Sequence, residues 1–197
     1  WIKNLKMQNK VKIEPATIVY PVPAVMVTCG NNPEEFNIIT IAWTGTINSI
    51  PPMCYISVRH ERHSYQIIKN NLEFVINLTT KELAEQTDFC GVKSGKKVNK
   101  FAETKLTPAK AQIVKCPLIA ESPVNIECKV KQIIPLGSHD MFIADVVAIN
   151  ANDDLIDKST GEILFNKIDL IAYSKGNYYK LGDFIGRNGF SIHKTNN

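Results

Sequence analysis

Residues 124–149 read VNIECKVKQII (124–134), PLGSHD (135–140) and MFIADVVAI (141–149). Two runs rich in Ile, Val and Phe flank a short Pro/Gly/Ser/Asp segment, the pattern of an antiparallel hairpin. In the first arm Ile126, Cys128 and Val130 alternate with Glu127, Lys129 and Lys131. One face of that arm is therefore expected to be buried and the other wet. The second arm is apolar on both faces over 142–144 and 146–149, which places it deeper in the fold or against another copy of the chain.

Upstream, Thr17 to Cys29, Asn37 to Thr44, Met53 to Arg59 and Glu73 to Leu78 are further strand candidates, each bounded by Gly, Pro or Asn. Helices are expected to be few. Ser64 to Asn71 carries Tyr65, Ile68 and Leu72 on one stripe, with Ser64 as the N-cap. Lys81 to Gln86 and Val98 to Glu103 each suit a turn or two. No Gly/Ser linker and no internal repeat divides the 197 residues. The chain therefore reads as a tail over 1–12 and a single domain over 13–197. Strands without a βαβ rhythm predict a mainly β fold: a closed, Greek-key-like antiparallel barrel with a few short helices. Neither Gly-x-Gly-x-x-Gly nor Gly-x-x-x-x-Gly-Lys-Ser/Thr occurs, so a nucleotide would bind by other means.

Hydrophobic residues make up 44% and charged residues 21%, as in ordinary globular proteins. A net charge of +4 suits small anionic ligands but is too scattered to mark a nucleic-acid protein. The five cysteines are odd in number and include no Cys-x-x-Cys, so neither a disulfide framework nor a metal site is expected. With no apolar run of about 20 residues and no signal-peptide pattern, a reducing, cytoplasmic setting is expected and no membrane partner. The chain opens on Trp1, and Met7 is read as its natural start, with residues 1–6 derived from something upstream.

Chemistry concentrates in Asn37-Ile-Ile-Thr-Ile-Ala-Trp-Thr44 and in the run from Pro51 to Ser64. Along the second, Met53, Tyr55, Ser57 and Arg59 share one face of a strand. Arg62, His63 and Ser64 then precede a helix, whose N-terminus offers free N–H groups and a partial positive charge. With Arg59, they form a candidate phosphate seat. The same residues also suit a solvated turn with an ordinary serine cap. Lys93, Lys96, Lys97 and Lys100 are either a wet surface or an attractor of phosphates. Trp43 reads as a buried barrel aromatic or as a pocket wall. Cys90 has no neighbour that would make it a nucleophile.

In order and spacing, a set of short segments resembles the flavin reductase-like family, to which flavoredoxins belong. They are Asn37…Thr40-Ile-Ala-Trp43-Thr-Gly45, Pro51-Pro52, Ser57-Val-Arg59, Arg62-His-Ser64, Phe74-Val-Ile-Asn77, Cys90-Gly91-Val-Lys-Ser94-Gly95, Asn99-Lys100-Phe101, Pro123-Val-Asn125-Ile-Glu127-Cys128 and Gly137-Ser-His139-Asp. The resemblance runs from about Pro21 to Ser191 and implies an FMN-binding split barrel. It implies that Asn37 and Thr40 to Thr44, including Ala42 and Trp43, lie along the flavin. Ser57, Val58, Arg59, Arg62, His63 and Ser64 would hold its ribityl chain and phosphate. His63-Ser64 stands where the family often has Tyr-Thr.

By the same resemblance Lys100, with Lys97, comes from a neighbouring loop or the partner subunit, and His139 lies where a nicotinamide docks. The implied function is an NAD(P)H-dependent flavin or ferric reductase that passes electrons through FMN, with NADH or NADPH as donor. The alternative is a flavoredoxin-like carrier reduced by a protein partner. Either is expected as a homodimer with the flavin near the subunit boundary. A non-enzymatic barrel module for an anion or single-stranded nucleic acid is disfavoured by the lack of stacked exposed aromatics. No catalytic acid or base is required, because the flavin carries the redox chemistry.

Overall fold

A computed structural model describes residues 9–192; the proposed start at Met7 and its leader over 1–6 lie outside them. Residues 9–20 form neither helix nor strand. The strands are β1 (Val22–Pro23), β2 (Val25–Cys29), β3 (Asn37–Ile41), β4 (Thr44–Ser49), β5 (Pro52–Arg59), β6 (Glu73–Asn77), β7 (Pro108–Ala109), β8 (Leu118–Ile119), β9 (Val124–Pro135), β10 (His139–Ala151), β11 (Ile171–Ser174) and β12 (Asn177–Lys180). The helices are α1 (His63–Asn71), α2 (Ala84–Val92) and α3 (Lys100–Thr104), with short 3₁₀ turns elsewhere. The fold is mainly β with few helices.

Seven strands form one antiparallel sheet in the order β3-β2-β6-β9-β10-β5-β4. Its two edge strands, β3 and β4, are consecutive in the chain and separated only by Ala42 and Trp43. The expected single strand over 37–44 is thus bent in two, and β3 pairs with β2 while β4 pairs with β5. The hydrogen-bond ladder does not close as expected for a closed barrel: β3 and β4 are its two edges, joined only through Ala42–Trp43. Ser57 N–H to the Trp43 carbonyl, at 2.9 Å, holds the bend against β5. The barrel is split at this seam.

The barrel interior is filled by Val25, Val27, Ile39, Ile56, Phe74 and Phe142 among others. α1 connects β5 to β6 and adds Tyr65, Ile67 and Ile68 to that cluster, covering one end of the barrel. The all-buried run of β2 reflects burial on both faces: Met26 points outward into a second cluster with Ile38, Leu83, Cys90 and Phe101. A strand covered on both sides has no need of polar alternation.

The hairpin over 124–149 forms as read, but two expectations about its faces are corrected. Glu127 is fully buried, not wet, because the segment before β8 lies over that face. The second arm is not the deeper one. Phe142 and Ala144 are buried, yet residues 145–148 are only half-buried and Ile149 is 57% exposed. All five cysteines are free and buried. Burial pushes the Cys90 thiol up to about 11, so it stays protonated. Among the described residues no helix is long and apolar enough to cross a membrane, and no group of three or more His, Cys, Asp or Glu is placed to hold a metal.

Candidate functional site

Two adjacent cavities lie beside the seam. The larger, about 400 Å³, is lined by Thr40, Ala42 and Trp43 on one side, Ser57, Val58 and Arg59 on another, and His139 at the hairpin tip. The smaller, about 170 Å³, is lined by Asn37, Arg62, His63, Ser64, Gly95 and Lys100. Ile39 and Arg62 belong to both, so the two form one elongated site.

The larger cavity is built on the bend. Trp43, 37% exposed, packs its ring on His139 with centroids 4.7 Å apart. Burial, and then the Arg59 guanidinium, lower the pKa of His139, so the imidazole is neutral near neutral pH. Val58 is buried in the core, so it offers this cavity backbone only. Thr40 Oγ1 donates to the Thr87 carbonyl of α2 at 2.5 Å, and α2 approaches so closely that a Cβ on Gly91 would lie 3.2 Å from Thr40 Cβ. The far wall is the β11–β12 hairpin, with Tyr173 and Tyr178 edge-on at 5.3 Å. Tyr178 OH donates to Asp88 at 3.3 Å.

The smaller cavity gathers the first turn of α1, the loop after α2 and the start of α3. Ser64 is not the N-cap, as expected from its place before the apolar stripe; Arg62 holds that position without a side-chain cap. Ser64 instead sits inside the first turn, 1% exposed, and its Oγ accepts from Asn37 Nδ2 at 2.7 Å. Arg62 Nη1 donates to the Gly91 carbonyl at 3.2 Å, tying α1 to α2. Lys100 is 4% exposed and donates from Nζ to the carbonyls of Ile38 (2.6 Å) and Cys90 (2.7 Å). Burial lowers its pKa, with Arg62 adding to the effect. His63 is lowered by burial and then by Lys96 and Lys100, a sign of positive potential around this cavity.

The structure brings together most of the expected site residues. Asn37, Arg62, His63, Ser64 and Lys100 meet at the small cavity; Thr40, Ala42, Trp43, Ser57, Val58, Arg59 and His139 meet at the large one. Arg59 stands at the larger cavity rather than beside Ser64, and its guanidinium lies 3.6 Å from Glu61. Thr44 turns away, its Oγ1 donating to the Tyr55 carbonyl at 2.5 Å. Lys97 is exposed on the loop and lines neither cavity, whereas Lys93 lines the smaller. Sequence reading missed Asp88 and the tyrosine wall. Gly176 set between Tyr173 and Tyr178 was the available hairpin signal.

Gly95 matters for close approach. A Cβ there would fall against the Asn37 amide, 2.7 Å from its Cγ. Gly95→Ala is expected to push Asn37 off Ser64 and lower stability by about 1 kcal/mol, read as a Tm drop of about 2–4 °C in thermal unfolding.

The family model for the flavin reductase like domain matches residues 18–182. The fold superposes on the flavoredoxin of Desulfovibrio vulgaris (Miyazaki F) with a TM-score of 0.85 and 28% identity, covering 94% of this chain and all of that one. An uncharacterized protein of Archaeoglobus fulgidus is 29% identical over 135 residues, 68% of this chain and 75% of that protein. The FMN reductase (NADH) RutF of Serratia proteamaculans is 23% identical over 109 residues, 55% of this chain and 60% of that protein. A split barrel with its cavities at the seam, matched over most of its length, places the chain in the flavin reductase-like family.

Proposed function

We propose that the chain binds FMN across the two cavities and acts through it as an oxidoreductase, with the phosphate in the smaller cavity and the ring in the larger. The observation that carries this reading is Lys100. Its buried ammonium spends two of its three protons on carbonyls, and it borders a cavity that also presents Arg62, Ser64 and the first turn of α1. A buried cation paired with neutral groups alone is costly unless an anion joins it. A phosphate there meets guanidinium, ammonium and helix N–H groups together.

Bound there, FMN would supply the chemistry of hydride acceptance and electron release. The chain's own residues bind and orient. Arg62 and Lys100 neutralise the phosphate, while Asn37 fixes the Ser64 hydroxyl beside it. The bend at Ala42–Trp43 presents backbone to the ring edge. Neutral His139, its ring tilted 37° against Trp43, lines the cavity where a second planar ligand enters, and it brings no charge of its own. A twofold homodimer belongs to this reading, supported by the exposed apolar side chains of Ile47, Ile50 and Ile149.

NADH or NADPH is the proposed donor. A flavoredoxin-like carrier is the second reading, favoured by the 28% identity to a flavoredoxin over its whole length. Purified protein mixed with FMN and desalted is expected to stay yellow; colourless protein overturns the flavin reading. Rapid anaerobic bleaching by NADH or NADPH then supports the reductase. Bleaching only by a ferredoxin-like protein supports the carrier.

A further inference from the structure

A buried carboxylate ties the His139 tip to the helix that heads the small cavity. Asp140, 5% exposed, follows His139 at the start of β10, and alternation sends its side chain inward where His139 faces the larger cavity. Its Oδ2 accepts from Tyr65 OH at 2.6 Å, and Tyr65 lies in the first turn of α1. Its Oδ1 lies 2.7 Å from His60 Nε2, in the turn between β5 and α1. Lys69 Nζ donates to Tyr65 OH at 3.0 Å, completing a chain of four side chains. Tyr65, and then His60, hold the Asp140 carboxyl below the usual carboxylate range.

The backbone at the tip is held by the sheet, since β10 pairs with β5 from its first residue, His139 opposite Arg59 and Asp140 opposite Val58, and Ser138 Oγ lies 2.9 Å from His139 Nδ1. The turn beyond the ladder, residues 135–138, is exposed and carries the backbone bond from Leu136 N–H to the His139 carbonyl at 2.9 Å. Exposed tips with few buried contacts are the first segments to open locally. The ladder to β5 places the backbone of His139, and the Asp140 oxygens add a side-chain anchor, to α1 and the preceding turn, one residue from the His139 ring.

We propose that Asp140 is a positioning residue, which holds the His139 ring against Trp43 by anchoring the hairpin tip to α1 through Tyr65 and to the preceding turn through His60. This rests on the FMN reading for its catalytic consequence, but its structural consequence needs no flavin. Asp140 acts through His139 and touches neither cavity.

The test follows the His139 Cε1–H resonance by NMR in the full chain, assigned by its absence from His139→Asn. In Asp140→Asn this resonance is expected to lose its Trp43 ring-current shift, and in Tyr65→Phe to lose part of it. FMN retention should change less than about threefold, since the phosphate-binding groups are untouched. Where NADH reduces the parent flavin, the reduction rate should fall about tenfold. In Asp140→Asn/His139→Asn it should fall no further than in His139→Asn alone. A His139 resonance unmoved in both single variants overturns the proposal, as does an additive rate loss in the double variant. If Asp140→Asn fails to fold, Tyr65→Phe decides by the same resonance. A parent that retains no FMN refutes the flavin reading only, and the resonance then decides the positioning role in the flavin-free protein.

Discussion

Lys100→Met is expected to weaken FMN binding by about 10- to 100-fold while leaving the stability of the flavin-free protein nearly unchanged. Hydrogen bonds to charged groups are worth about 1.5–3 kcal/mol, and 1.4 kcal/mol is tenfold in affinity. Met follows the path of the lysine stem but carries no charge, so the volume taken by the buried stem stays filled. Two effects oppose each other in the flavin-free protein. Removing the ammonium orphans the Ile38 and Cys90 carbonyls, which is unfavourable. It also removes a buried cation whose pKa is lowered chiefly by burial, which is favourable. Denaturant unfolding should therefore show a midpoint close to the parent, whereas titration with FMN shows the loss. Lys100 is 4% exposed, so Lys100→Arg is no rescue: the planar guanidinium is bulkier than the slot. The pH dependence follows the same residue. Affinity rises as the phosphate takes its second charge near about pH 6. It falls again as pH passes through the lowered Lys100 pKa, earlier than for an ordinary lysine. Lys100→Met should flatten that alkaline limb. Undiminished FMN affinity in Lys100→Met would mean the ammonium only clamps α3 to β3.

What the sequence made legible follows from how local each signal is. The hairpin over 124–149 could be read because period-two alternation and a Pro/Gly turn sit within one stretch, and α1 because Tyr65 and Ile68 recur at helical spacing; Leu72, read on the same stripe, is the helix's C-cap and is 45% exposed. β4, Thr44–Ser49, carried no such signal. Apart from Ile47 its residues are polar or Gly, most are exposed, and it is held by its ladder to β5 rather than by burial. The small cavity was legible in its residue types but not in its geometry. Asn37 and Ser64 are 27 positions apart, and their hydrogen bond exists because β3 and α1 meet at the barrel end. Arg59 was grouped with Ser64 by nearness in sequence, yet the turn after β5 separates them into different cavities. Alternation on β9 rightly placed Glu127 opposite Cys128, but it reports the direction of a side chain and not what covers it.

That cover makes Glu127 the site of the largest expected loss of stability. Its Oε1 accepts from Gln112 N–H at 2.9 Å and Asn150 Nδ2 at 2.8 Å; Oε2 accepts from Ile113 N–H at 2.7 Å and Val114 N–H at 3.0 Å. Three successive backbone N–H groups converge on one carboxylate, a concave anion seat filled by the protein itself. The segment so held brings Ala111, Val114 and Cys116 onto Val75 as a separate apolar cluster. Burial alone would raise the carboxyl pKa, but the four hydrogen bonds outweigh it and the group is held below its ordinary value. Glu127→Ala leaves those donors unpaired and opens the cluster, so a loss of about 3 kcal/mol is expected, read as a lower urea midpoint. Glu127→Gln keeps the shape but turns an amide N–H₂ toward donors, and about 1–2 kcal/mol should be lost. Because the folded pKa lies below the unfolded one, Glu127 contributes its stability fully above about pH 4.3 and loses it as pH falls through the folded value. The acid limb of stability should therefore be shallower in Glu127→Gln than in the parent. An unchanged urea midpoint in Glu127→Ala would show that the apolar cluster holds the segment without its carboxylate.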